Sequence, residues 1–176
     1  SGVVFGTRCS EDELERNWQR LILTNAMERD HLGVLVGAPL TDVRITLCAG
    51  RAHAKHTEGG DFRQATYRAV RQALMRARSR GECVLLEPWY AFELEVPESK
   101  LGRAMADMTR MGGRFEAPEV AGESALLAGT VPASELGDYA LEVAAYTGGL
   151  GRLSLELAGY EPCHDAERVI GDAAYD

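Results

Sequence analysis

The residues best suited to chemistry lie between positions 51 and 80, and the chemistry they suit is the capture of anions. That stretch holds Arg51, Lys55, Arg63, Arg68, Arg71, Arg76, Arg78 and Arg80 against only Glu58 and Asp61, in a chain whose net charge is −8. An acidic body repels a polyanion, so a sharply basic segment on it marks a protein that meets RNA or DNA along one edge. The bland alternative is a solvated arginine-rich helix face that binds nothing. His53 and His56 frame Lys55 in the same stretch, and a His-x-x-His pair on a loop is half of a metal site. No third ligand cluster accompanies it, and RNA contact fits the residues better than metal binding. Arginine and lysine pair with phosphate, while imidazole stacks on a base or donates to a backbone oxygen.

Other chemistry finds little support. Gly148-Gly149-Leu150-Gly151 lacks the Lys-Ser/Thr of a phosphate-cradling loop and follows a predicted helix where such a loop would precede one. The chain by itself is therefore not expected to hydrolyse nucleotides, and no Ser-His-Asp or Cys-His set assembles, so no catalytic residue is assigned. Cys9, Cys48, Cys83 and Cys163 are widely spaced without a C-x-x-C pair, which predicts reduced, mostly buried thiols and neither a disulfide framework nor a zinc site. Glu93 and Glu95 fall on one face of a predicted strand and read as a solvated outer face. No run approaches the roughly 20 apolar residues of a membrane span, and Ser1 to Arg8 lacks a signal-peptide layout. The expectation is a cytoplasmic protein without a membrane partner. With no heptad or apolar seam, a monomer is expected.

The elements that must carry the basic segment follow from periodicity. Ser10-Glu11-Asp12-Glu13 has the form of a capping box, and Leu14, Trp18, Leu21, Ile22 and Met27 recur at helical spacing up to Gly33. Thr41 to Cys48 alternates as a half-buried strand, with Val43, Ile45 and Leu47 on one face. A polar loop, Ala49 to Gly60, leads to a second cap at Asp61. From there Phe62, Ala65, Ala69, Val70, Ala73 and Leu74 predict the apolar stripe of a helix reaching about Arg78, with most arginines off the stripe.

The second half contains an internal repeat. Val96-Pro97-Glu98-Ser99-Lys100-Leu101-Gly102 returns as Val131-Pro132-Ala133-Ser134-Glu135-Leu136-Gly137. Each copy follows a strand pattern, Trp89 to Val96 or Ala125 to Val131, opens a helix, and ends at a glycine pair, Gly112-Gly113 or Gly148-Gly149. A strand follows each pair, and Gly122 suits the hairpin between the halves. The order strand, helix, strand, strand, helix, strand predicts a ferredoxin-like βαββαβ sandwich, in which Met105, Met108 and Met111 are core. The fold class is therefore α+β, with two small sandwich domains at residues 1–83 and 84–162. An acidic tail at 163–176 reads as the start of an element cut short.

These motifs resemble a known family. Thr41-Asp42-Val43-Arg44-Ile45-Thr46-Leu47, followed by Gly50, His53 and the run to Phe62, is similar to the strand, loop and helix of domain IV of elongation factor G. Leu85-Leu86-Glu87-Pro88 opening the repeat resembles the start of its domain V. Asp61-Phe62-Arg63 and the aromatic after Leu86-Glu87-Pro88 are closer to the tetracycline-resistance ribosomal protection proteins than to the translocase. The resemblance implies a ribosomal-protein-S5-like domain IV that enters the small-subunit decoding region, and a domain V near the GTPase centre of the large subunit. It also implies a preceding domain that uses GTP and magnesium, with the drug expelled by insertion. The tip loop then corresponds to Arg51 through Gly60, so Arg51, His53, Lys55, His56 and Thr57 are the implied rRNA contacts, with Arg63, Arg68 and Arg71 as additional ones. No proline lies between Ala49 and Asp61, where the protection proteins carry one. A translocase-like paralogue is the nearest alternative, and a ferredoxin-like domain binding a small molecule is one from another class.

Overall fold

The computed structural model describes residues 2–53 and 59–175. The chain forms two compact units, one from residues 1–84 and 165–176, the other from residues 85–164.

In the first unit, β1 (Val3–Thr7) and β2 (Val43–Leu47) pair in parallel, with Val3 opposite Val43 and Thr7 opposite Leu47. Parallel strands need a long crossover, which here contains α1 (Arg16–Met27). Helix α2 (Gly59–Ser79) packs on α1, where the Trp18 and Phe62 rings lie 4.8 Å apart. Cys9, Leu14 and Phe62 form the buried centre, flanked by Leu21, Ile22, Leu47 and Ala52.

Two sequence expectations shift here. Ser10 does accept a bond from the Glu13 N–H, 3.2 Å away, but this closes a turn, and the helix itself starts only at Arg16. The buried Gln19 side chain explains the offset: its amide donates to the carbonyls of Cys9, Ser10 and Leu14, and its Oε1 accepts the Thr7 hydroxyl at 2.8 Å. Tertiary bonds thus satisfy the turn that the capping box was expected to turn into helix. At the other end α1 stops at Met27, and Gly33 lies in a loop where it accepts the Gly37 N–H and donates to Ala38.

The buried face of α2 is also rotated from the predicted stripe. Phe62, Thr66 and Val70 are buried, whereas Ala65, Ala69 and Ala73 are exposed. Burying a phenyl ring releases far more free energy than burying a methyl group, so the helix turns to place Phe62 inward. Thr66 can follow it because its hydroxyl bonds the Phe62 carbonyl at 2.6 Å within the helix.

The second unit runs β3 (Leu86–Pro97), a 3₁₀ turn, α3 (Leu101–Arg110), β4 (Arg114–Phe115), β5 (Glu119–Ala121), β6 (Ser124–Pro132), α4 (Ala133–Leu136), α5 (Tyr139–Tyr146) and β7 (Arg152–Pro162). The antiparallel sheet has the order β4-β6-β3-β7, with β5 also on β6, which is the ferredoxin-like arrangement. Phe92, Leu94 and Val96 of β3 share one face with Leu127 and Ala125 of β6, and Ala104, Met108, Leu136, Tyr139 and Val143 cover that face from the helices. Met111 is buried with them, and Met105 packs at the margin. Glu93 and Glu95 are exposed on the opposite face. Gly122 makes the β5–β6 turn with φ of 64°, a conformation that favours glycine.

The acidic tail forms an element of its own, α6 (Ala166–Ala173), and from Asp165 onward it groups with the first unit. The thiols are more accessible than expected, since only Cys9 is buried, Cys83 and Cys163 are half-buried and Cys48 is exposed. Burial, and after it the nearby Glu13 carboxylate, pushes the Cys9 thiol above its ordinary pKa.

Candidate nucleic-acid interface

The root of the basic loop is set by packing. Gly50 sits directly over Leu14, so that a Cβ there would lie 2.7 Å from Leu14 Cδ2, and Ala52 tucks against the first core. This leaves Arg51 and His53 exposed on either side of Ala52. Lys55, His56 and Thr57 lie outside the described residues.

Helix α2 carries the remaining arginines, and the structure sorts them. Arg63 pairs with Glu28, with Nε 3.0 Å from the carboxylate. Arg78, expected on the solvent side, is half-buried and donates from Nη1 to the Val34 carbonyl at 2.9 Å, so it ties the helix to the loop after α1. Arg71 is half-buried, with its guanidinium 5.4 Å from the centre of the Tyr175 ring. Arg68, Arg76 and Arg80 are exposed. Asp61 in the first turn and Arg76 and Arg78 in the last complement the helix dipole.

Residues outside the basic segment complete the surface. The guanidinium of Arg29 lies 4.2 Å above the Tyr67 ring, and the Tyr67 hydroxyl donates to Glu28. That bond to a carboxylate raises the Tyr67 pKa. His31 is buried and donates from Nε2 to the Ala26 carbonyl at 2.8 Å. Together Arg29, Tyr67, Arg68, Arg71 and Tyr175 border an open groove of about 740 Å³ in the first unit, floored by Val70 and Leu74. Sequence reasoning passed over Arg29, whose charge is masked locally by Glu28 and Asp30, and Tyr175, which α6 brings in from the far end of the chain.

Element order and strand order define a tandem of two α+β modules, the first bearing the basic surface. Residues 1–78 match the family model "Elongation factor G, domain IV", and residues 84–169 match "Elongation factor G C-terminus". The chain belongs to the elongation factor G family. It is 30% identical to the tetracycline resistance protein TetP of Clostridium perfringens over 91% of its length, and 29% identical to elongation factor G 1 of Syntrophomonas wolfei over 93%. A crystal structure of a protein from Thermus thermophilus superposes on 99% of the chain with a TM-score of 0.84 at 25% identity. The chain covers 24% of either relative's sequence and 26% of that crystallised chain.

Proposed function

We propose that this chain is the ribosome-facing part of a translational GTPase of the ribosomal protection type, whose first unit enters the small-subunit decoding region and displaces tetracycline. The observation that carries this reading is the similarity to a tetracycline resistance protein along 91% of the chain, spanning both units. Charge placement supports an RNA partner. A body of net charge −8 is repelled by rRNA, so approach is favoured only where Arg51, His53 and the exposed Arg68, Arg76 and Arg80 of α2 face outward. In the loop, Arg51, His53, Lys55, His56 and Thr57 are the proposed rRNA contacts, and the second unit faces the large subunit near its GTPase centre. GTP and magnesium act in a separate domain of the parent protein, which works in the cytoplasm.

The 29% identity to an elongation factor G supports a second reading, a translocase-like factor that moves along the same ribosomal site without expelling drug. Displacement of labelled tetracycline from ribosomes by the parent protein, with and without GTP, separates the two. Drug release is the expected result. Ribosome-stimulated GTP hydrolysis without release would replace protection by the translocase-like reading.

A further inference from the structure

We propose that the groove of the first unit is a second RNA-contact site, which takes a phosphodiester and its neighbouring base from single-stranded RNA. The proposal rests on the ribosome-binding reading and adds to it a surface away from the loop at Arg51.

The arginines of the groove differ from six others in the chain. Arg16, Arg103, Arg110, Arg114 and Arg168 each meet a carboxylate within 4 Å, as Arg63 does. Among the described residues no ion pair joins Arg29, Arg68 or Arg71 to an acid. Glu28, the acid beside Arg29, is already shared by Arg63 and the Tyr67 hydroxyl. Three cations therefore border one concavity without an ion-pair partner among the described residues.

Two of them are also held in place. A guanidinium lying on an aromatic ring keeps its edge N–H groups free while losing much of its torsional freedom. Arg29 on Tyr67 and Arg71 on Tyr175 thus present donors whose ordering is largely complete before a ligand arrives, and planar N–H edges match phosphate oxygens. The floor is apolar: Val70 is 8% exposed, and Leu74 lies one turn further along α2. A floor of this kind suits the face of a base better than a hydrated ion. The volume, about 740 Å³, accommodates a nucleotide but not a folded protein segment.

The test compares two charge-matched pairs on the same helix. Arg68→Gln/Arg71→Gln removes groove cations, and Arg76→Gln/Arg80→Gln removes exposed cations outside the groove. Tyr175→Leu removes a ring without changing charge. Each variant of the 176-residue chain, with its fold checked by circular dichroism, is titrated with ribosomes, with a labelled uridine decamer and with a glutamate decapeptide. The groove pair is expected to weaken decamer binding roughly tenfold and to lower the log–log salt slope by about 1.4, at roughly 0.7 per single-strand phosphate. The outer pair should change both much less, and Tyr175→Leu should weaken affinity while leaving the slope in place. Equal effects of the two pairs, or preference for the glutamate peptide, would overturn the groove. Wild-type chain that binds the decamer but no ribosome would overturn the ribosome reading alone.

Discussion

Glu87, buried near the start of β3, accepts hydrogen bonds from both the backbone N–H and the Nδ1 of His164, 3.1 and 2.8 Å away at the far end of the second unit. The other ring nitrogen of His164 lies 3.3 Å from Glu135, so the imidazole links the first strand of the repeat to the short helix of its second half. A carboxylate with its side chain only 8% exposed depends on such partners.

Replacing His164 by alanine leaves that carboxylate with a single donor. The expected cost is about 2 kcal/mol, read as a lower urea midpoint. Glu87→Gln/His164→Ala should recover part of it, because a neutral amide is cheaper to bury than an orphaned charge. Identical midpoints for the single and double variants would show that the pair contributes nothing.

Alkaline pH should destabilise the second unit through Tyr139. Burial, then the Tyr146 hydroxyl and the Asp107 carboxylate, raise its phenol well above the ordinary value of 10. The folded state therefore holds this proton after the unfolded chain has lost it. Stability is fully present below pH 10 and falls as pH rises through and beyond it, by up to about 1.4 kcal/mol per pH unit for one group. Urea titrations between pH 8 and 11 should show a steeper loss in wild type than in Tyr139→Phe. Parallel curves would count against this linkage.

Gly129 allows close backbone approach. A Cβ there would lie 2.1 Å from the Arg114 carbonyl oxygen and 2.7 Å from Phe115 Cα, in the partner strand β4. Backbone atoms cannot yield as a side-chain tip can, so Gly129→Ala should cost about 3 kcal/mol and open the β4–β6 pairing. Gly122→Ala meets open space and suffers only its positive φ, about 1 kcal/mol. Thermal melts that rank the two in the opposite order would contradict the register.

The loop root offers a functional test of packing. Gly50→Ala pushes on Leu14, which is 2% exposed, and should cost about 1 kcal/mol while displacing Arg51. Ribosome affinity is expected to fall more than stability alone explains. Arg51→Gln in the Gly50→Ala background should then add less than it does in wild type, because the two act on one contact. Full additivity would separate the loop root from binding.

The second unit was legible in the sequence to an unusual degree, and the reason is local. Each half of the repeat writes its own alternation, its own helix stripe and its own glycine stop, so Phe92, Leu94, Val96 and Met108 declare their burial without reference to distant residues. The first unit was less legible because its boundaries are tertiary. Ser10 and Glu13 have the form of a helix start, yet Gln19 commits the bonds to a turn. The alanines of α2 fit a stripe, yet Phe62 decides which face turns inward.

For the site, the sequence determined that positive charge is concentrated between residues 51 and 80, since charge is a property of composition. Only the tertiary structure decided which of those arginines are already occupied. Glu28 removes Arg63 and the Val34 carbonyl removes Arg78, while Tyr175 holds Arg71 at the groove, where Tyr67 holds Arg29 from outside the segment. Those partners lie tens of residues away along the chain, and linear spacing carries no record of which distant groups folding brings together.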